Sequence, residues 1–234
     1  MNYVIDPPPQ PSVAIANNAA RFPVRRIFCV GRNYADHVRE MGDDPKSEPP
    51  VFFTKPADAV VESGSSIAYP KNTANLHHEV ELVVAIGRDA PAGVLDVADA
   101  GALVFGYAVG LDLTRRDLQG AAKAKGLPWD TGKAFDHSAP ISPIVPLAEA
   151  GELGARTLGL KVNGEIRQHG SLADLVWNVP EILHELSRLF ALRAGDLVFM
   201  GTPAGVGPLH PGDRFEAVLD GIAVLQGQVT APTV

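Results

Sequence analysis

The sequence predicts an α+β fold dominated by β structure, with short peripheral helices, on three observations. Glycine and proline are abundant, 23 and 20 of 234 residues, with no collagen-like period, which points to many turns between short strands. Short apolar runs bounded by Gly, Pro and Asn recur along most of the chain. Helical spacing of apolar residues is sustained over only a few stretches.

The length reads as one domain, residues 25–234, carrying an N-terminal arm of residues 1–24. The run Pro7 to Pro9 can feed neither a helix nor a central strand, so the arm is expected to be loosely ordered or a short strand laid over the body. A hydrophobic fraction of 46% and a charged fraction of 20% exclude disorder or a coiled coil as the whole answer. A formal charge of −7 without a basic run argues against nucleic acid as a partner. The single Cys29 excludes a disulfide framework within the chain and a multi-cysteine zinc site. It reads as a small apolar residue of a strand. No apolar run reaches the roughly 20 residues of a membrane span. The opening residues lack the basic start and apolar core of a secretory signal, so a cytoplasmic location is expected.

The elements follow in order. Residues 26–31 read as a strand ended by Gly31, and Asn33 as the N-cap of a short helix closed by Gly42. Strands are expected at 51–53, 60–61, 79–86 and 104–113, with a helical turn within 95–102. Thr114 and Asp117 have the spacing of a capping box, which would open a helix running to Lys125 and ended by Gly126 and Pro128. Asn163-Gly164 is a strong hairpin signal between 158–162 and 166–167. Residues 179–190 carry Val179, Ile182, Leu183, Leu186 and Leu189 at helical spacing, with Pro180 at an early position. Strands at 197–200, 215–219 and 223–229 complete the chain.

Three acids stand where strands begin or end. In a strand Glu79 and Glu81 share one face, which continues into Val83 and Ala85, while Val80, Leu82, Val84 and Ile86 take the other. The two carboxylates repel unless a cation or water lies between them. Asp112 ends another apolar strand, and either bonds helix-start amides or joins the other acids. Three converging carboxylates would offer hard oxygen ligands to Mg²⁺ or Mn²⁺. His77 and His78 lack a further histidine at metal-binding spacing and suit structural or supporting roles. His37 and Glu40, three apart on the expected helix, can hydrogen-bond. The loop Gly201 to Gly207 lacks the ending of a phosphate-binding P-loop and runs into Pro208.

Several ordered blocks resemble the fumarylacetoacetate hydrolase family. They are Val30-Gly31-Arg32-Asn33-Tyr34-Ala35-Asp36-His37, Phe53-Thr54-Lys55-Pro56, His78-Glu79-Val80-Glu81-Leu82, the run Leu111 to Gln119, Gly126-Leu127-Pro128-Trp129, and Gly201 to Pro208. They span about residues 25–228, and are most similar to the short acylpyruvase branch that includes fumarylpyruvate hydrolases. The resemblance implies a mixed β-roll with a short lid helix, a homodimer, and one Mg²⁺ or Mn²⁺ per subunit on Glu79, Glu81 and Asp112. It implies Lys133 close to the metal, and Gln119 and Thr202 facing the substrate. In that branch Glu40 would orient His37, which would activate water from the lid. Arg32 and Tyr34, beside the lid, become candidates for a distal carboxylate.

The implied activity is cleavage of a carbon–carbon bond in a 3-acylpyruvate, in aromatic catabolism, with fumarylpyruvate and water giving fumarate and pyruvate. Decarboxylation of oxaloacetate, or decarboxylation or isomerisation of a related 2-oxo acid, passes through the same enolate and stays open. A non-catalytic metal-stabilised binding protein would need none of His37, Glu40 and Lys133.

Overall fold

The computed structural model of the protein describes residues 2–34 and 49–232. His37 and Glu40, with the expected lid helix after Tyr34, lie outside the described residues.

Two sheets carry the architecture. The larger is mixed and runs, strand by strand, Val51–Lys55, Arg26–Gly31, Asp196–Phe199, Val80–Ile86, Val104–Leu111, Ala139–Ile141 and Val60–Glu62, with Val145–Pro146 also paired to Val104–Leu111. The second runs Glu165–Ser171, Thr157–Val162, Arg214–Leu219, Ala223–Thr230 and Ser66–Ala68. A small sheet of Thr114–Arg115, Leu76–His78 and Gly207–Leu209 sits beside the start of Val80–Ile86. With four short α-helices among the described residues, at Arg116–Ala124, Asp130–Lys133, Leu147–Ala150 and Val179–Ser187, this is the β-dominated architecture that the sequence predicts and the roll that the resemblance implies.

Val80–Ile86 is buried along its whole length, because both faces of the large sheet are covered. Val80, Leu82, Val84 and Ile86 pack into one core with Leu158, Leu160, Phe215 and Leu225 of the second sheet and Ile182, Leu183 and Leu186 of the last helix. Val83 and Ala85 face a second core, with Ile27, Cys29, Leu197 and Phe199. The N-terminal segment folds into a hairpin, Ser12–Ile15 with Asn18–Pro23. Its Val13 and Phe22 are buried in that second core, so the hairpin covers the sheet face.

The local signals hold where a short-range partner decides them. Asn163 and Gly164 have φ of 52° and 85° and join Thr157–Val162 to Glu165–Ser171, as a turn with two positive φ values requires. The helix Val179–Ser187 starts at Asn178, in a capping box with Glu181. One expected cap is replaced by longer-range bonds. Thr114 lies in a strand, and the helix begins at Arg116. The Thr114 hydroxyl instead receives a hydrogen bond from Lys133, and Asp117 accepts from Thr73 and Ala74. Asn33 is buried and ties three backbone groups: its amide donates to the Trp177 and Met200 carbonyls and its oxygen accepts from Trp177 N.

The Asn33 anchor fixes the loop that follows Asp196–Phe199. Gly201 there has φ of 94°, and a Cβ on it would lie 2.8 Å from Cβ of Asn33. The substitution Gly201→Ala is expected to destabilise the protein by about 1–3 kcal/mol, from backbone strain plus the clash. A lowered urea midpoint with an unchanged m-value would show it.

Candidate active site

The acids are brought together by strand register. Val80 pairs with Leu111 and Glu81 with Gly110, so the next position outward sets Glu79 across from Asp112. The amide of Asp112 donates to the Glu79 carbonyl at 2.8 Å. Residues directly opposite in an antiparallel pair share a face, and the alternation along the strand puts Glu81 on that face too. All three acids are buried, and one carboxylate oxygen of each lies within 4.8 Å of the others.

Three cations answer them. Lys133, at the end of the one-turn helix Asp130–Lys133, donates from Nζ to Glu79 Oε2 at 2.7 Å, Asp112 Oδ2 at 2.6 Å and Thr114 Oγ1 at 2.7 Å. This short helix can approach because residue 132 is glycine: a Cβ there would lie 2.9 Å from the backbone nitrogen of Gln119. Lys55, at the end of Val51–Lys55, is fully buried and places Nζ 2.8 Å from Asp112 Oδ1. Its protons go to the carbonyls of Leu113 and Lys133. Arg116 pairs with Glu79 Oε1 and also donates to Gln119 Oε1 and to Nδ1 of His77.

Electrostatics separate the acids. Burial opposes ionisation of Glu79, but Lys133 and Arg116 outweigh it and hold its pKa down at about 2. Burial likewise opposes the charge on Lys133, yet Asp112 and Glu79 outweigh it and push the ammonium pKa up. Glu81 has no cation in direct contact among the described residues; Gly201 N donates to its Oε2 at 2.8 Å. Burial, then the charges of Asp112 and Glu79, push its pKa well above the usual carboxylate range. Burial lowers both adjacent histidines, His77 to about 4 with help from Arg116, so both are neutral at pH 7.

This donor set fits a hard divalent cation. It offers only carboxylate oxygens, and Asp112 Oδ1 is buried with no hydrogen-bond partner among the described residues, only an ion pair with Lys55. Oxygens about 2.1 Å from Mg²⁺ lie at most about 4.2 Å apart, so only a small inward shift is needed.

A cavity of about 100 Å³ opens over the acids, lined also by Arg32, Arg116, Gln119, Lys123, Lys133, Trp129 and Thr202. Thus Glu79, Glu81, Asp112, Lys133, Gln119, Thr202 and Arg32 meet at one place. Arg32 has φ of 60°, a left-handed conformation unusual for so long a residue. Gln119 gives its oxygen to Arg116, so its amide NH₂ is the end left to face the cavity. Tyr34 does not join the lining. It is buried, bridges to Leu175, and its hydroxyl has no hydrogen-bond partner among the described residues. Sequence reasoning missed Lys55, Arg116 and Gln168. The last is a buried amide that bonds His78 at Nδ1, Val80 N, Thr202 Oγ1 and the Pro203 carbonyl. Lys55 and Arg116 lie inside the family-like blocks, but no local spacing assigns them a partner.

Residues 26–230 match the fumarylacetoacetate (FAA) hydrolase C-terminal family. The chain belongs to this family. Its members include enzymes of different names. The chain is 44% identical over 207 residues to the mitochondrial oxaloacetate tautomerase of Mus musculus, covering 88% of this chain and 91% of the relative. It is 43% identical over 201 residues to an oxaloacetate tautomerase of Escherichia coli, covering 86% and 90%. Among solved structures, fumarylpyruvate hydrolase from Pseudomonas aeruginosa in complex with Mn²⁺ and pyruvate superposes with a TM-score of 0.93 at 47% identity, covering 98% of this chain and 100% of that one. No helix among the described residues is long and apolar enough to cross a membrane.

Two outcomes follow from the charges. Raising the folded-state pKa of Glu81 above its ordinary 4.5 means that metal-free protein loses stability as pH rises from there through the folded value, while cation binding needs the carboxylate. Mg²⁺ uptake should therefore release protons and weaken as pH falls. Calorimetry in buffers of different ionisation heat reads this directly, and a buffer-independent heat would contradict it. Lys55→Met keeps the stem and removes one partner of a buried pair, which typically costs about 3–5 kcal/mol. Urea unfolding should show that loss in metal-free protein and a partial recovery with Mg²⁺.

Proposed function

We propose that this protein is a divalent-metal-dependent hydrolase of 3-acylpyruvates, converting fumarylpyruvate and water to fumarate and pyruvate. The observation that carries the reading is the charge balance of the cavity. Three acids, Glu79, Glu81 and Asp112, face three cations, Lys55, Lys133 and Arg116, in or beside direct ion pairs. A dication added to this neutral set leaves a surplus of two positive charges, to which Arg32 and Lys123 of the lining add. That surplus suits a ligand bearing a carboxylate and an adjacent oxyanion, the form of an acylpyruvate enolate. The likeness to a fumarylpyruvate hydrolase along essentially the full length of both chains supports the same choice.

In this reading Glu79, Glu81 and Asp112 hold Mg²⁺ or Mn²⁺, which supplies chelation and Lewis-acid polarisation of the 2-oxo end. The chain's own groups do the rest. Lys133 Nζ, its protons on Glu79, Asp112 and Thr114, offers positive charge, and the Gln119 amide and the Thr202 hydroxyl stand as donors, around the oxygens on which charge develops. Arg32, which lines the same cavity, offers positive charge toward the distal carboxylate. His37, oriented by Glu40, takes a proton from water, whose oxygen attacks the distal carbonyl carbon. Collapse of the tetrahedral adduct breaks the carbon–carbon bond, releases fumarate and leaves the enolate of pyruvate, which is then protonated.

A second reading is favoured by the two relatives named oxaloacetate tautomerases. Interconversion or decarboxylation of oxaloacetate passes through an enolate of the same kind and needs no attacking water. Turnover of fumarylpyruvate and of oxaloacetate, with and without Mg²⁺, separates the two. Wild type is expected to cleave fumarylpyruvate only with metal, and Glu79→Ala to lose this. His37→Ala is expected to lower hydrolysis by about 10²–10⁴-fold, the usual contribution of a general base, while oxaloacetate chemistry survives. Metal-dependent conversion of oxaloacetate without cleavage of any acylpyruvate would replace the hydrolase reading by the second.

A further inference from the structure

Gln168 belongs to the second sheet, in Glu165–Ser171, yet its buried side chain reaches across to the site. Its two ends are assigned by backbone groups that have no choice of role. Val80 N–H donates to Oε1 at 3.0 Å, and the Pro203 carbonyl accepts from Nε2 at 2.9 Å. The amide therefore cannot be turned over without setting donor against donor and acceptor against acceptor. Its remaining capacity is filled by side chains: Oε1 lies 2.8 Å from His78 Nδ1, and Nε2 donates to Thr202 Oγ1 at 2.8 Å.

The consequence falls on Thr202. A hydroxyl carries one proton and two lone pairs. Because Nε2 of Gln168 is committed as a donor, Thr202 Oγ1 accepts there, and its proton is left to point elsewhere. No hydrogen bond from this hydroxyl to a described residue competes for that proton, and Thr202 lines the cavity over the acids. We propose that Gln168 is a positioning residue that fixes the Thr202 hydroxyl as a donor into the cavity, for a carboxylate oxygen of a 2-oxo acid. The inference rests on the 2-oxo acid reading above. It adds that the second sheet sets the polarity of the ligand-facing loop, while the first supplies the acids.

Gln168→Glu replaces the donor by an acceptor oxygen, so the Thr202 hydroxyl should turn to donate inward and present lone pairs to the cavity. Oxalate, an inert mimic of a 2-oxo acid, is titrated calorimetrically into Mg²⁺-loaded wild type, Q168E, T202V and the double variant. The new carboxylate acts on oxalate through its field in both backgrounds, so the informative quantity is the difference between them. The affinity loss caused by Q168E is expected to be about tenfold greater with Thr202 present than in the T202V background, the scale of one hydrogen bond to a charged group. Thr202→Ser should retain wild-type affinity. Equal losses in the two backgrounds would reduce Gln168 to a structural tie and overturn the proposal.

If Q168E does not fold, the same cycle is run with Gln168→Met, which frees the hydroxyl without adding charge. The loss should again be confined to protein with Thr202; no loss, or a loss that persists with T202V, overturns the proposal. Oxalate binding requires no turnover. Coupling between positions 168 and 202 in a protein that cleaves no acylpyruvate would sink the hydrolase reading and leave this one standing; cleavage without coupling would do the reverse.

Discussion

The pairing of Val80–Ile86 with Val104–Leu111 is the constraint on which the site depends. It sets Glu79 across from Asp112 and Glu81 one pleat further in, on the same face. A slip of one residue would turn one strand's acids to the opposite face. The apolar residues of both strands forbid such a slip, since Leu82, Val84 and Val109 would exchange cores with Val83, Ala85 and Ala108. Packing energy that has nothing to do with chemistry therefore enforces the geometry of the acids.

Burying three carboxylates in so dry a place is costly unless each finds compensation. Two of them do so through Lys133, Lys55 and Arg116. Among the described residues Glu81 has only the Gly201 amide in hydrogen-bond contact, and its raised pKa expresses burial and the charges of Asp112 and Glu79 without a cation bound to it. The asymmetry has a use. Glu79 and Asp112 are held in place before any metal arrives, and Glu81 is the acid whose ionisation a metal would drive.

The acids were legible in the sequence because β alternation alone places Glu79 and Glu81 together, and because Asp112 ends an apolar run. The elements were legible where a turn or a helix start is decided within a few residues, as at Asn163-Gly164 and Pro180. Local reasoning failed where a distant partner claimed a side chain. Thr114 has the spacing of a cap, yet Lys133 takes its hydroxyl. Nothing near Asn33 in sequence signals its bonds to Trp177 and Met200, more than 140 residues away. Gln168 gave no signal at all, since it is one polar residue in an otherwise ordinary hairpin. Tyr34, grouped with Arg32 because both stand beside the expected lid, is buried away from the cavity that Arg32 lines; the left-handed φ of 60° at Arg32 breaks the alternation that would keep positions 32 and 34 on one face.

The N-terminal hairpin bears on how this chain can be trimmed. Read from composition, residues 1–24 are an appendage. In the fold, Val13, Phe22 and Val24 seal the core that contains Ile27, Cys29, Val83 and Phe199, the same sheet face on which the acids lie further along. A chain begun at residue 25 would keep every polar residue of the cavity and lose the lid of the oil-filled side. Water reaching that face would raise the local dielectric and weaken the ion pairs that hold the acids. The segment farthest in character from the chemistry thus belongs to its insulation.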